Sequence, residues 1–172
     1  MLTTERLFLR PMKEEDAPHI YELNMDPDVI RYTRDVACTS LSDALKVITD
    51  IALPQYTKFK MGRFSVFLHD GTYLGWCGLK YHPDYDHEVD LGYRFHKRFW
   101  GMGYATEASV ACLKYGFEEL GLKRIVAKIM PANIPSIKVA QRLKMSFRGV
   151  GINPSDPPGL IVYEITAEEF KK

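Results

Sequence analysis

The chain has 172 residues, 46% of them hydrophobic and 26% charged, which suits one soluble domain, expected to span residues 1–172, with a sizeable core. Its 23 Lys plus Arg against 22 Asp plus Glu leave a net charge of +1, which argues against nucleic acid or an anionic membrane as partner. The first residues, Met1-Leu2-Thr3-Thr4-Glu5-Arg6, hold no apolar run of signal-peptide or spanning length. Cys38, Cys77 and Cys112 have neither metal-ligand spacing nor a disulfide pattern, so a reducing cytoplasm is the expected compartment and no metal is expected.

Leu7–Arg10 reads as a short strand ended by Pro11. Glu14 to Asn24 reads as a helix with acidic residues in its first turn. Asp26-Pro27-Asp28 interrupts it, and Ser42 is the expected N-cap of a second helix reaching about Lys60, kinked or broken at Pro54. Phe64–Leu68 and Tyr73–Tyr81 flank Asp70-Gly71 as a hairpin, and Val89–Phe95 is a further strand with Leu91, Tyr93 and Phe95 on one face.

The period then changes. Ala105, Ala108, Cys112, Leu113, Phe117 and Leu120 line one side of a helix that Gly121 closes. Arg124–Ile129 is strand-like, Asn133 caps a helix with Pro135 in its first turn, and Phe147–Gly151 and Leu160–Thr166 are strands around a Pro-rich loop. This order predicts an α/β (α+β) domain with a mixed sheet and helices on both faces.

The chemistry concentrates where the strand ending at Phe95 meets the helix beginning near Tyr104. Gly101 and Gly103 let the backbone turn sharply and approach a ligand there. The amides of the first helical turn then favour an anion such as a diphosphate, with Arg98 able to contact a phosphate oxygen. Glycine spacing alone is equally compatible with a simple turn.

Arg98-Phe99-Trp100-Gly101-Met102-Gly103 resembles the basic-x-x-Gly-x-Gly/Ala signature of the GNAT superfamily. The longer Leu91-Gly92-Tyr93 … Trp100-Gly101-Met102-Gly103-Tyr104-Ala105-Thr106-Glu107-Ala108 resembles the branch containing ribosomal-protein N-terminal acetyltransferases. Asn133-Ile134-Pro135-Ser136 and Glu5–Pro11 resemble that branch's later helix and first strand. The resemblance implies a mostly antiparallel central sheet of about seven strands and acetyl-CoA as cosubstrate. It also implies direct transfer of acetyl to a primary amine on a protein N-terminus or a small amino compound, by a monomer or homodimer. The alternative is a non-catalytic acyl-CoA-binding regulatory domain.

The residues that the resemblance assigns to CoA run in two groups. Arg98, Gly101, Met102, Gly103, Tyr104, Ala105 and Thr106 would hold the diphosphate; Arg94, Phe95, His96, Asn133 and Ser136 would meet the pantetheine arm and thioester. Three departures from the branch stand out: Lys97 for a frequent Pro, Lys144 for a frequent Gly, and a short Pro-rich stretch between Gly151 and Leu160.

Amine acetylation needs a proton acceptor, for which Asp90 comes first and Glu88 second, on one side of their strand. An ion pair on the solvent face is the competing role for either. Ser136 is assigned by its family position to protonating the thiolate, because this helix lacks the Tyr that many relatives use. His82 and His87, flanking Pro83–Asp86, read as solvated loop residues, and Asp84, Asp86, Glu88 and Asp90 as an acidic cluster able to attract a cationic acceptor.

Overall fold

The structure, a computed structural model, describes residues 1–33, 37–83, 87–151 and 158–172. Eight strands form one sheet in the order β1-β2-β3-β4-β5-β6-β8-β7, every pair antiparallel except β5 with β6. The strands are β1 (Leu2–Thr3), β2 (Leu7–Pro11), β3 (Arg63–Leu68), β4 (Tyr73–His82), β5 (Glu88–Phe95), β6 (Arg124–Ile129), β7 (Ser146–Val150) and β8 (Ile161–Thr166). This is the mixed, mostly antiparallel arrangement expected, with eight strands rather than seven.

Two apolar clusters cover the two faces. On one face, Ala108, Cys112 and Leu113 of α5 (Tyr104–Lys114) and Val139, Ala140 and Leu143 on or just after α6 (Ile134–Arg142) pack on Leu79, Leu91, Phe95 and Ile125. On the other, Ala17 and Ile20 of α1 (Ala17–Met25) and Ala44 of α3 (Leu41–Lys46) meet Ile48 and Ala52. The short helices α2 (Pro27–Ile30) and α7 (Ala167–Phe170) complete the set.

Three expectations need correction. The first helix begins as a 3-10 turn at Glu14–Asp16, because the Asp16 side chain accepts the Lys13 amide and enters α1 as its N-cap residue. The second helix is capped by Ser40, not Ser42: the Ser40 hydroxyl accepts the Asp43 amide. Pro54 does not break the chain there, since a wider π turn at Val47–Ala52 leads into α4 (Leu53–Phe59), with Pro54 in its first turn where a missing amide costs little.

Beyond these, Lys144 takes a left-handed backbone, φ 58°, directly after α6, which explains why a glycine suits that position. Cys38, Cys77 and Cys112 are buried thiols, small residues of the core. Among the described residues no helix is long and apolar enough to cross a membrane.

Candidate active site

The site is built where the sheet comes apart. β5 meets β6 in register only at Asp90 opposite Val126, while β6 stays with β8 along its whole length, from Arg124–Thr166 to Ile129–Ile161. Past Asp90 a cleft of about 390 Å³ opens between the two strands. Tyr93, Asn133, Ser136, His82, Lys80 and Asp90 are among the residues that line it.

Strand geometry decides which backbone groups face that opening. The His96 amide donates to the Leu74 carbonyl of β4 at 2.9 Å, and the β4–β5 register runs unbroken from Gly75–Phe95 to His82–Glu88. Hydrogen bonding alternates along an antiparallel pair, so Arg94 and Gly92 also turn their amides and carbonyls to β4. Leu91, Tyr93 and Phe95 turn theirs toward β6, where beyond Leu91 no ladder continues. The Phe95 carbonyl is already taken by the Trp100 indole N–H at 2.8 Å. The main chains of Arg94 and His96, both expected to meet pantetheine, thus serve β4, and the main chain of Tyr93 with the Phe95 amide presents the open edge. The Arg94 side chain is buried, donates to Asn24 Oδ1 of α1 and lies over the Trp76 ring.

The glycine loop sits at the mouth of this edge. Gly101 and Gly103 have φ of 78° and 84°, the left-handed region that glycine enters without strain. Gly103 is the N-cap residue of α5 and among the described residues no side chain caps the helix, so its first amides remain available. A depression there is lined by Gly101, Met102, Gly103, Thr106, Glu107 and Arg142. The Thr106 hydroxyl is buried without a partner among the described residues, and a Cβ at Gly101 would meet nothing within 4 Å. An anion-sized cradle with free amides, an orphaned hydroxyl and a nearby guanidinium fits a diphosphate.

The Arg98 guanidinium lies 5.0 Å from the Phe99 ring centroid, and Arg142 is the basic residue among those lining the depression. Tyr104 and Ala105 pack against the core. Glu107 is engaged from outside its helix, by Thr4 Oγ1 at 2.6 Å, the Arg6 amide at 2.9 Å and the Arg6 guanidinium at 2.6 Å. Arg6 also donates to the Met102 carbonyl at 3.0 Å, tying the N-terminal segment to the loop.

Asp90 is in the cleft but in an ion pair. Its Oδ2 lies 2.6 Å from the Arg63 guanidinium and its Oδ1 2.5 Å from His82 Nε2. Burial alone would raise this carboxyl; the Arg63 charge and the His82 hydrogen bond outweigh it and hold Asp90 well below the usual carboxylate range. Such a carboxylate is a poor proton acceptor near neutral pH. Glu88 lies 2.5 Å from Lys128 Nζ. His82, read as a loop residue, instead ends β4, is four-fifths buried and faces the cleft. No local signal marks it: its partner lies across a hairpin, and Arg63 is one strand further off.

Ser136 and Asn133 sit as expected at the start of α6, the Asn133 side chain accepting the Ser136 amide at 3.3 Å. Tyr93 of β5 pairs with the Ser136 hydroxyl, and burial pushes its phenol up to about 12. His96 is buried, and that burial lowers its affinity for a proton. Asp84, Asp86 and 152–157 of the Pro-rich loop lie outside the described residues. Among the described residues no His, Cys, Asp and Glu group has the makings of a metal site.

Comparison with known proteins agrees with this geometry. The acetyltransferase (GNAT) domain matches residues 6–146. An uncharacterized N-acetyltransferase, p20, of Bacillus licheniformis is 34% identical over 153 residues, covering 87% of this chain and 84% of its own. The crystal structure of an acetyltransferase from Agrobacterium tumefaciens superposes with a TM-score of 0.82 at 28% identity, over 95% of this chain and 92% of that one. RimJ of Mycobacterium smegmatis, in complex with CoA-disulfide, shares the fold with a TM-score of 0.80 at 21% identity, over 96% and 84%. The chain belongs to the acetyltransferase (GNAT) domain family, and is an N-acetyltransferase that uses acetyl-CoA.

Proposed function

We propose that the protein acetylates a primary amine, on a peptide N-terminus or a small amino compound, within one ternary complex. The observation that carries this reading is the single Asp90–Val126 bridge, beyond which β5 leaves its Tyr93 and Phe95 edge open between the glycine loop and the His82–Asp90 pair. An extended arm adding to that edge as a further strand would be held by main-chain hydrogen bonds, and the loop amides, Thr106 and Arg142 would hold its diphosphate. This rests on likeness to the N-terminal acetyltransferase branch at the level of fold.

The bound thioester supplies the acetyl group: an N–C bond forms, the C–S bond breaks with its electron pair on sulfur, and the amide's departing proton ends on the thiol. The residues manage the remaining charges. An ammonium acceptor, with a pKa of about 8 at an α-amine, must first lose a proton. His82 takes it, because its ring faces the cleft while Asp90 fixes the ring's orientation and Arg63 fixes Asp90. Tyr93, with its phenol near 12, stays protonated and donates a hydrogen bond to the sulfur as it gains charge, with Ser136 holding the phenol in place. No enzyme nucleophile is required.

A screen of N-terminal peptides, lysine peptides, polyamines and amino acids for thiol release from acetyl-CoA tests this. Turnover on α-amines or small amino compounds is expected. Strong turnover confined to internal lysines would overturn the acceptor, and binding of acetyl-CoA with silence across all amines would favour the non-catalytic alternative.

A further inference from the structure

Charged side chains of β4 and β5 in and beside the cleft form a pattern that bears on the acceptor's own charge. Both described carboxylates there are spoken for: Asp90 gives one oxygen to Arg63 and the other to His82, and Glu88 lies 2.5 Å from Lys128 Nζ. Lys80 lies directly opposite Asp90 in the β4–β5 register and lines the cleft. With both Asp90 oxygens engaged elsewhere, Lys80 has no carboxylate partner among the described residues. Trp76, two strand positions before Gly78 and four before Lys80, is flanked by two guanidinium groups, Arg63 at 5.4 Å and Arg94 at 5.3 Å from its ring.

We propose that the acceptor carries a carboxylate beside its amine, and that Lys80 binds it. The inference rests on the transferase reading above and names the substrate class of that site. A flexible lysine lining a cleft is a point charge with three donors, able to follow a carboxylate that arrives with the substrate. Lys80 and His82 are two apart on one strand and so on one face, about 6.5–7 Å apart along the backbone. That spacing suits an amine at His82 and a carboxylate at Lys80 within one amino acid, or within the first residues of an acidic peptide. A polyamine would set a second cation against Lys80 and Arg63, and is a poor fit.

The test is steady-state acetylation of matched pairs: a free amino acid and its amide, a peptide with Glu at its second residue and its Gln twin, and spermidine. Wild type, Lys80→Gln and Lys80→Glu are compared, with acetyl-CoA affinity measured by titration. In the wild type the carboxylate member of each pair is expected to have a KM about tenfold lower than its neutral twin. Lys80→Gln should erase that difference and Lys80→Glu reverse it, with acetyl-CoA affinity unchanged. A larger effect in the amino-acid pair identifies a small acceptor, and in the peptide pair an acidic N-terminus. Equal KM within both pairs, or preference for spermidine, during normal turnover would overturn the carboxylate proposal alone. Silence on every amine would overturn the transferase reading and this proposal with it.

Discussion

Among the described residues two aspartates are paired with arginine, and one of them borders a cleft. Asp16, 2% exposed, receives the Arg10 guanidinium at 2.8 and 2.7 Å, the Ser65 hydroxyl at 2.8 Å and the Lys13 amide at 3.0 Å. Asp90 receives Arg63 and His82, a histidine that lines the cleft. Burial would raise both carboxyls, and partners hold both below the usual range. A lowered carboxyl therefore marks a well-held charge and does not by itself mark a base. What differs is the last partner: serine and backbone close the Asp16 network, whereas the Asp90 network ends on His82, a ring that lines the cleft.

The largest expected effect falls on the closed network. Asp16→Asn removes the close, buried charge partner of Arg10, leaving it Glu15 at 3.8 Å, and should cost about 3 kcal/mol, read as a lower urea midpoint with turnover per folded molecule unchanged. Because the Asp16 carboxyl is lowered in the fold, its stabilisation is present above the unfolded value of about 3.9 and is lost as pH falls through the folded one. Wild-type stability should decline in acid below about pH 4, less steeply in Asp16→Asn. A stable Asp16→Asn protein with lost turnover would erase the distinction.

At the open network the effect should be catalytic. His82→Gln is expected to lower kcat about 100-fold while barely moving the melting temperature or acetyl-CoA affinity. A large loss of stability with normal turnover per folded molecule would make His82 structural, like Ser65.

Gly103→Val isolates cosubstrate binding from both networks. It forces a β-branched residue to a φ of 84°, with a Cβ 3.3 Å from Arg6 Nη2, so acetyl-CoA affinity should fall about tenfold or more by titration. The Asp90–His82 pair is untouched. Unaltered affinity in the folded variant would disconnect the loop from the diphosphate.

The smallest effect serves as a control. Lys144→Gly relieves a left-handed lysine at φ 58° and should add about 1 kcal/mol of stability. Turnover should stay constant, since stability alone is not what the His82 site supplies. A change in kcat would show that global stability leaks into catalysis.

The halves of the site differed in how far the sequence revealed them. The run from Phe95 through Gly103 into α5, and Asn133 capping α6, rest on neighbours within a few residues, and those signals are local. His82–Asp90–Arg63 is assembled by a hairpin and a third strand, with partners 8 and 27 residues apart, so no spacing rule announces it. Arg142 went unread at the loop for the same reason: α6 carries it there from a distant part of the chain. Tyr93 matched its expected strand, yet its role depends on where α6 sets Ser136. The Ser40 cap and the π turn before Pro54 turned on one or two residues, a margin at which propensities do not discriminate.

The pH dependence of kcat/KM for wild type, His82→Gln and Asp16→Asn, on an amine that the screen identifies, tests the central assignment most directly. The rising limb of the wild-type profile should be present equally in Asp16→Asn and altered in His82→Gln, where only the acceptor's own titration remains. The same limb in all three proteins would contradict His82 as the proton acceptor.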